Sequence, residues 1–187
     1  QVGDKGYIEA NGVKTPIIDT VRENGLIVHL CENLPETLET EFNAAVDTQA
    51  RELTECNHSA THLLQYALQQ VLGDHIEQKG SLVTPEHLRF DFSHFQKMTT
   101  EEIRQVEQLV NQAIRQDLKL QEYRDTAIDE AKAMGARALF GEKYGDKVRV
   151  IQFGKSMELC GGTHIASTGK IGFFKIISEG AIAAGIR

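Results

Sequence analysis

The first fifty positions carry short apolar runs broken by tight-turn signals. Tyr7, Ile8 and Ala10 precede Asn11-Gly12, a pair suited to the positive φ of a two-residue hairpin turn, and a further run follows over 13–21. Asn24-Gly25 repeats the device ahead of Leu26-Ile27-Val28-His29-Leu30, and Phe42, Ala44 and Val46 alternate at strand period. Several short strands with tight turns predict a small β-barrel or meander over residues 1–50. No chemistry is visible there.

The period changes near Asn57. Asn57 is a plausible N-cap, and Leu63, Leu64, Ala67, Leu68, Val71 and Leu72 recur at helical spacing before Gly73. Two strands are expected at 80–84 and 87–92, where Leu88, Phe90 and Phe92 alternate. Thr99-Thr100-Glu101-Glu102 offers a capping box to a second helix bearing Ile103, Val106, Leu109, Val110, Ala113 and Ile114. A strand at 118–124, a short helix at 127–134, a turn at Gly145-Asp146 and a strand at 148–151 follow. The last thirty residues read as a glycine-rich loop and then a strand over 172–177. Interspersed helices and strands make the class α+β. We find no internal repeat and no low-complexity tract.

With 187 residues, the chain is long enough for one sizeable domain, or a main domain with a small companion. No apolar run approaches the roughly 20 residues that span a bilayer, which sets a membrane partner aside. Neither a signal pattern nor an initiator Met is present, and the start at Gln1 with the stop at Arg187 suggests a piece of a longer chain. Three cysteines (Cys31, Cys56, Cys160) form no close pair, so a disulfide framework is not expected and a reducing cytoplasm fits. The net charge of −7 argues against a chain-wide nucleic-acid binder, but residues 132–187 hold nine basic against four acidic side chains. A locally basic face of that kind can meet a phosphate backbone, although most such runs are solvated surface.

One constellation carries chemistry. His58 and His62 lie four apart on the expected helix, so both imidazoles share a face. Cys160 and His164 form a second pair, with the same spacing, in a loop whose glycines permit close backbone approach. Either pair alone is weak, since helical histidines are usually packed or exposed and lone cysteines are usually core residues. Together they make a four-donor set of the kind zinc prefers. A metallopeptidase needs Glu after the first histidine of His-Glu-x-x-His, and Ser59 stands there instead. A structural zinc knot stays open, because four protein ligands normally close the coordination sphere.

Four segments then become recognisable: Asn57-His58-Ser59-Ala60-Thr61-His62-Leu63-Leu64, Gln78-Lys79-Gly80-Ser81-Leu82-Val83, Arg89-Phe90-Asp91-Phe92-Ser93-His94 and Glu158-Leu159-Cys160-Gly161-Gly162-Thr163-His164. They closely resemble the editing domain of the alanyl-tRNA synthetases, and the stretch 138–146 resembles the bacterial type. The resemblance covers the whole chain. It implies a small β-barrel at 1–50 ahead of an editing domain at 51–187, with a fold shared by threonyl-tRNA synthetases. It implies one Zn2+ on His58, His62, Cys160 and His164, and hydrolysis of tRNA(Ala) mischarged with serine or glycine. ATP and Mg2+ would serve a synthetic domain that this sequence does not show. The rest of the synthetase chain would be a partner. A free-standing editing protein is the runner-up.

The same resemblance implies roles for single residues. Thr61 and Gln78 match substrate-reading positions of the editing site; without the resemblance they are an ordinary helix threonine and a solvated glutamine. Cys160 would serve catalysis as well as ligation. Gly161 and Gly162 have backbone N–H groups suited to an ester oxyanion or a phosphate, or else simply allow a tight turn. Lys79 and Arg89 are the nearest basic candidates for tRNA contacts. His164, on the glycine loop, is the ligand most expected to be loose. His75, His87 and His94 lack partner spacings and are read as surface or hydrogen-bonded groups, and Cys56 as packing. Three classes remain: a zinc-dependent aminoacyl-tRNA esterase, a tRNA-binding module with structural zinc, and a general zinc hydrolase.

Overall fold

A computed structural model describes residues 1–38, 41–138 and 144–187. The part of the bacterial-type stretch at 139–143 lies outside the described residues. Among these residues the chain forms ten strands and three α-helices, an α+β architecture.

The hairpins form where the turn chemistry places them. Asn11 and Gly12 (φ 52° and 78°) join β1 (Gly6–Ala10) to β2 (Val13–Ile17), and Asn24 and Gly25 (φ 49° and 82°) join β3 (Asp19–Glu23) to β4 (Leu26–Leu30). β5 (Asn43–Val46) pairs antiparallel with β1, giving a β2-β1-β5 sheet, while β3 pairs only with β4. The expected barrel does not close among the described residues. The apolar run over 13–21 breaks at Ile18, whose N–H bonds Leu30 O. Among the described residues of this region only Thr15 and Ile17 are buried, whereas a small barrel needs an interior filled by side chains.

Helix α1 (Thr48–Leu72) starts ten residues before the expected point. Asp47 is its N-cap, accepting a hydrogen bond from Ala50 N at 3.0 Å. Asn57 lies inside the helix, and its amide reaches Thr84 O at 2.8 Å instead. The polar first turns hid this start, because they carry no apolar stripe. Gly73 ends the helix at φ 109° as expected.

β6 (Gln78–Val83) and β7 (Leu88–Phe92) form a hairpin against α1. Helix α2 (Thr100–Arg115) begins in the expected capping box, with Thr99 Oγ1 accepting from Glu102 N and the Glu102 carboxylate accepting from Thr99 N. Its Val106, Val110 and Ile114 pack with Leu64 and Leu68 of α1 in the main core. The strand expected at 118–124 lies at β8 (Gln121–Ala127), followed by α3 (Ile128–Ala133), β9 (Lys147–Phe153) and β10 (Ser156–Leu159).

β9 is the central strand of the β10-β9-β8 sheet and joins two cores. Ile151 and Phe153 enter the main core; Val148 and Val150 pack with Ala131 and Leu159 in a second. The strand expected at 172–177 is not formed. Asn111 bonds both Phe174 O and Phe174 N at 2.8 and 2.9 Å, and Glu107 accepts from Ile176 N, so side chains of α2 take the partners a ladder would supply. No helix among the described residues is long and apolar enough to cross a membrane.

Leu68→Ala, at a side chain 2% exposed, is expected to lower the unfolding free energy by about 2–5 kcal/mol. Leu26→Ala, at a side chain 67% exposed, should change it by no more than about 0.5 kcal/mol. Urea denaturation of the two variants checks this, and equal losses would contradict the location of the core.

Candidate metal centre

Two structural elements bring the four expected ligands together. On α1, His58 and His62 are one turn apart, and their rings meet edge-to-face at 5.3 Å. β10 runs antiparallel to β9 and delivers Cys160, whose N–H bonds Arg149 O at 3.0 Å. Ser156 Oγ donates to His62 O at 3.2 Å, joining the two elements directly. One donor atom from each of His58, His62, Cys160 and His164 lies within 4.8 Å of all the others. Cys160 Sγ is 3.4 Å from His58 Nε2 and 3.3 Å from His164 Nε2.

The turn after Cys160 is held from several sides. Arg149 Nη1 donates to Gly162 O at 2.5 Å and to Cys160 O at 3.2 Å, while its Nε pairs with Glu122. Gly162 N–H points back to Cys160 Sγ at 3.4 Å. A Cβ at Gly162 would fall on Cε1 of His58, 2.6 Å from Nδ1, so this position requires glycine by contact. Gly161 faces open space. His164, expected to be loose, is held: Ser59 Oγ lies 3.1 Å from its Nδ1, and its ring packs edge-on to Phe153.

The electrostatics suit a cation. Burial lowers the imidazole of His58 to about 4 and that of His62 to about 3. His164 is lowered further, first by burial and then by its two histidine neighbours. All three rings are therefore neutral at pH 7, with lone pairs available. Burial pushes the Cys160 thiol up to about 11. His62 Nδ1 is buried and has no hydrogen-bond partner, an arrangement that is costly unless a ligand meets it. Three neutral imidazoles and one thiol fit a borderline-soft divalent ion.

The remaining site residues are distributed differently. Thr61 is buried on α1 and donates to Asn57 O at 2.8 Å. Gln78 opens β6 and donates to Ser81 Oγ at 3.1 Å. Neither lines the 730 Å³ groove beside the cluster, which is bordered by His164, Gly161, Gly162, Arg124, Lys147 and Arg149 among others. Lys79 and Arg89 lie on the β6–β7 hairpin, paired with Glu77 and Asp91. His75 and His94 bond one another at 3.0 Å, away from the cluster, and Cys56 packs against the main core.

Sequence reasoning missed Gln1, Ser59, Glu122, Arg149 and Glu158. Gln1 Oε1 accepts from His58 Nδ1 at 2.8 Å and from Thr163 N at 3.1 Å, a contact across 162 positions that no local pattern announces. Ser59 had a signal, because it is a polar residue between two histidines on a buried helix face.

Two outcomes are expected from this geometry. Gly162→Ala should weaken zinc binding in calorimetric titration, whereas Gly161→Ala should leave it near the parent value. Equal effects would contradict the close approach at Gly162. Because the thiol is protonated at pH 7 and the imidazoles are not, zinc binding should release about one proton. Its affinity should then rise roughly tenfold per pH unit between about pH 6 and 8. Titrations in buffers of different ionisation enthalpy count the protons; a release of zero would contradict thiolate ligation.

Comparison with known proteins finds relatives along the whole chain. Residues 148–187 match the family described as the threonyl and alanyl tRNA synthetase second additional domain. The whole chain is 60% identical to 21% of the alanine–tRNA ligase of Bacteroides thetaiotaomicron. It is likewise 60% identical to 21% of that of Bacteroides fragilis, and 58% identical to 22% of that of Porphyromonas gingivalis. The chain thus spans about a fifth of the length of these relatives. Over its whole length the chain is similar to one segment of these alanine–tRNA ligases, and its residues 148–187 are similar to the second additional domain described for threonyl and alanyl tRNA synthetases.

Proposed function

We propose that this chain is an editing module of an alanine–tRNA ligase, hydrolysing the ester of tRNA(Ala) mischarged with serine or glycine. The observation that carries the reading is the meeting of His58, His62, Cys160 and His164 within 4.8 Å beside an open groove. On this reading the editing module covers residues 51–187 and the β-rich segment 1–50 precedes it. ATP- and Mg2+-dependent ligation belongs to parts of the relatives that the chain does not match. The setting is cytoplasmic.

The four residues would hold Zn2+, which when bound supplies Lewis acidity beside the ester. The chain's own groups do the rest. Gln1 and Ser59 orient two of the imidazoles. Arg149 holds the carbonyls of Cys160 and Gly162, and the exposed Gly161 between them would offer its backbone N–H to a substrate oxygen. The N–H of Gly162 already points at Cys160, so Gly161 is the better candidate of the two. Thr61 retains acceptor lone pairs after donating to Asn57 O, and with Gln78 would read the hydroxyl of serine. Glycine, one methyl smaller than alanine, must be told apart by shape near the α-carbon. Lys79 and Arg89 would meet tRNA phosphates.

A non-catalytic tRNA-binding module is the second reading, because four side-chain ligands fill a structural coordination shell. One assay separates the two. The zinc-loaded chain at high concentration, incubated with seryl-tRNA(Ala), should release serine well above the buffer rate. Cys160→Ala should lower that rate by on the order of 100-fold or more. Release at the buffer rate, with zinc bound, would leave only the binding module.

A further inference from the structure

Glu158 is a buried carboxyl that the proposed chemistry does not use. It sits on β10 at 4% exposure; Oε1 has no hydrogen-bond partner and Oε2 lies 3.6 Å from Nε2 of His62. Its neighbours are Ile151 across the ladder and Arg137 through an isolated bridge, and with no hydrogen bond to Oε1 the buried carboxyl is costly. His62 is equally buried, and its Nδ1 has no partner. The two other imidazoles show a common pattern. His58 donates Nδ1–H to Gln1 Oε1 and turns Nε2 to Cys160 Sγ. His164 places Nδ1 against Ser59 Oγ and Nε2 against the same sulfur. In each ring an oxygen holds one nitrogen and the other faces the cluster.

We propose that Glu158 is the positioning residue for His62: its carboxyl oxygen accepts Nε2–H, sets the tautomer and leaves Nδ1 as the donor to the metal ion. Such partners behind a ligating histidine raise its basicity and fix its orientation. The inference rests on reading the four residues as a metal site.

The test uses the full 187-residue chain with Glu158→Leu and Glu158→Gln. Glu158→Leu should weaken zinc binding, measured by chelator competition, by about 10- to 100-fold. Its metal-free melting temperature should stay close to that of the parent, since the unpartnered Oε1 is removed while His62 Nε2–H loses its acceptor. Glu158→Gln keeps an acceptor and should recover most of the affinity. Long-range 15N spectra of the metal-free parent should show His62 protonated on Nε2. Unchanged zinc affinity in Glu158→Leu, a loss accompanied by a lower metal-free melting temperature, or a His62 protonated on Nδ1 would each overturn the proposal. A parent chain that binds no zinc would instead overturn the metal reading itself, and this inference with it.

Discussion

Everything at the candidate centre depends on one close approach, the contact of the Gly162 backbone with the ring of His58. With no Cβ in the way, the turn leaving β10 settles onto α1, and Cys160 and His164 come within reach of His58 and His62. Arg149 holds that turn by its carbonyls, and β9, which carries Arg149, is anchored between two cores. The apolar packing thus does more than stabilise the chain. It determines where the donors stand, and the tolerance is less than the width of a methyl group.

The same packing sets the chemistry. Three imidazoles are gathered with ring centroids 4.3–5.3 Å apart, and burial keeps them neutral. A cluster of this kind, with a nitrogen left unpartnered inside it, is a poor way to stabilise a fold and a good way to receive a cation. Strain of this sort is characteristic of functional sites, where local stability is given up for a prepared set of donors. The groove alongside, lined by charges of both signs (Glu55, Glu122, Asp125, Arg124, Lys147 and Arg149), opens beside His164.

Much of this was legible in the chain, for reasons that differ by element. The helix spacing of His58 and His62 and the loop spacing of Cys160 and His164 are local facts, and i,i+4 geometry turns the first into a shared face directly. Thr99 with Glu102, and the Asn-Gly hairpins, were equally plain because capping and positive φ act over three or four residues. What escaped was non-local. The start of α1 at Asp47 was hidden by polar first turns that face solvent. The β-barrel expected over 1–50 is instead a three-stranded sheet and a hairpin, because the strands bury too little to fill an interior. The strand expected over 172–177 is replaced by backbone bonded to Asn111 and Glu107, partners more than sixty positions away. Gln1, Arg149 and Glu158 could be found only once the chain was folded.

The central claim is that one thiol and three imidazoles of this chain hold a single ion. Zinc-edge X-ray absorption on the zinc-loaded chain tests it most directly. One sulfur at about 2.3 Å and three nitrogens at about 2.0–2.1 Å are expected around the ion. A first shell without sulfur, or with more than one, would contradict it.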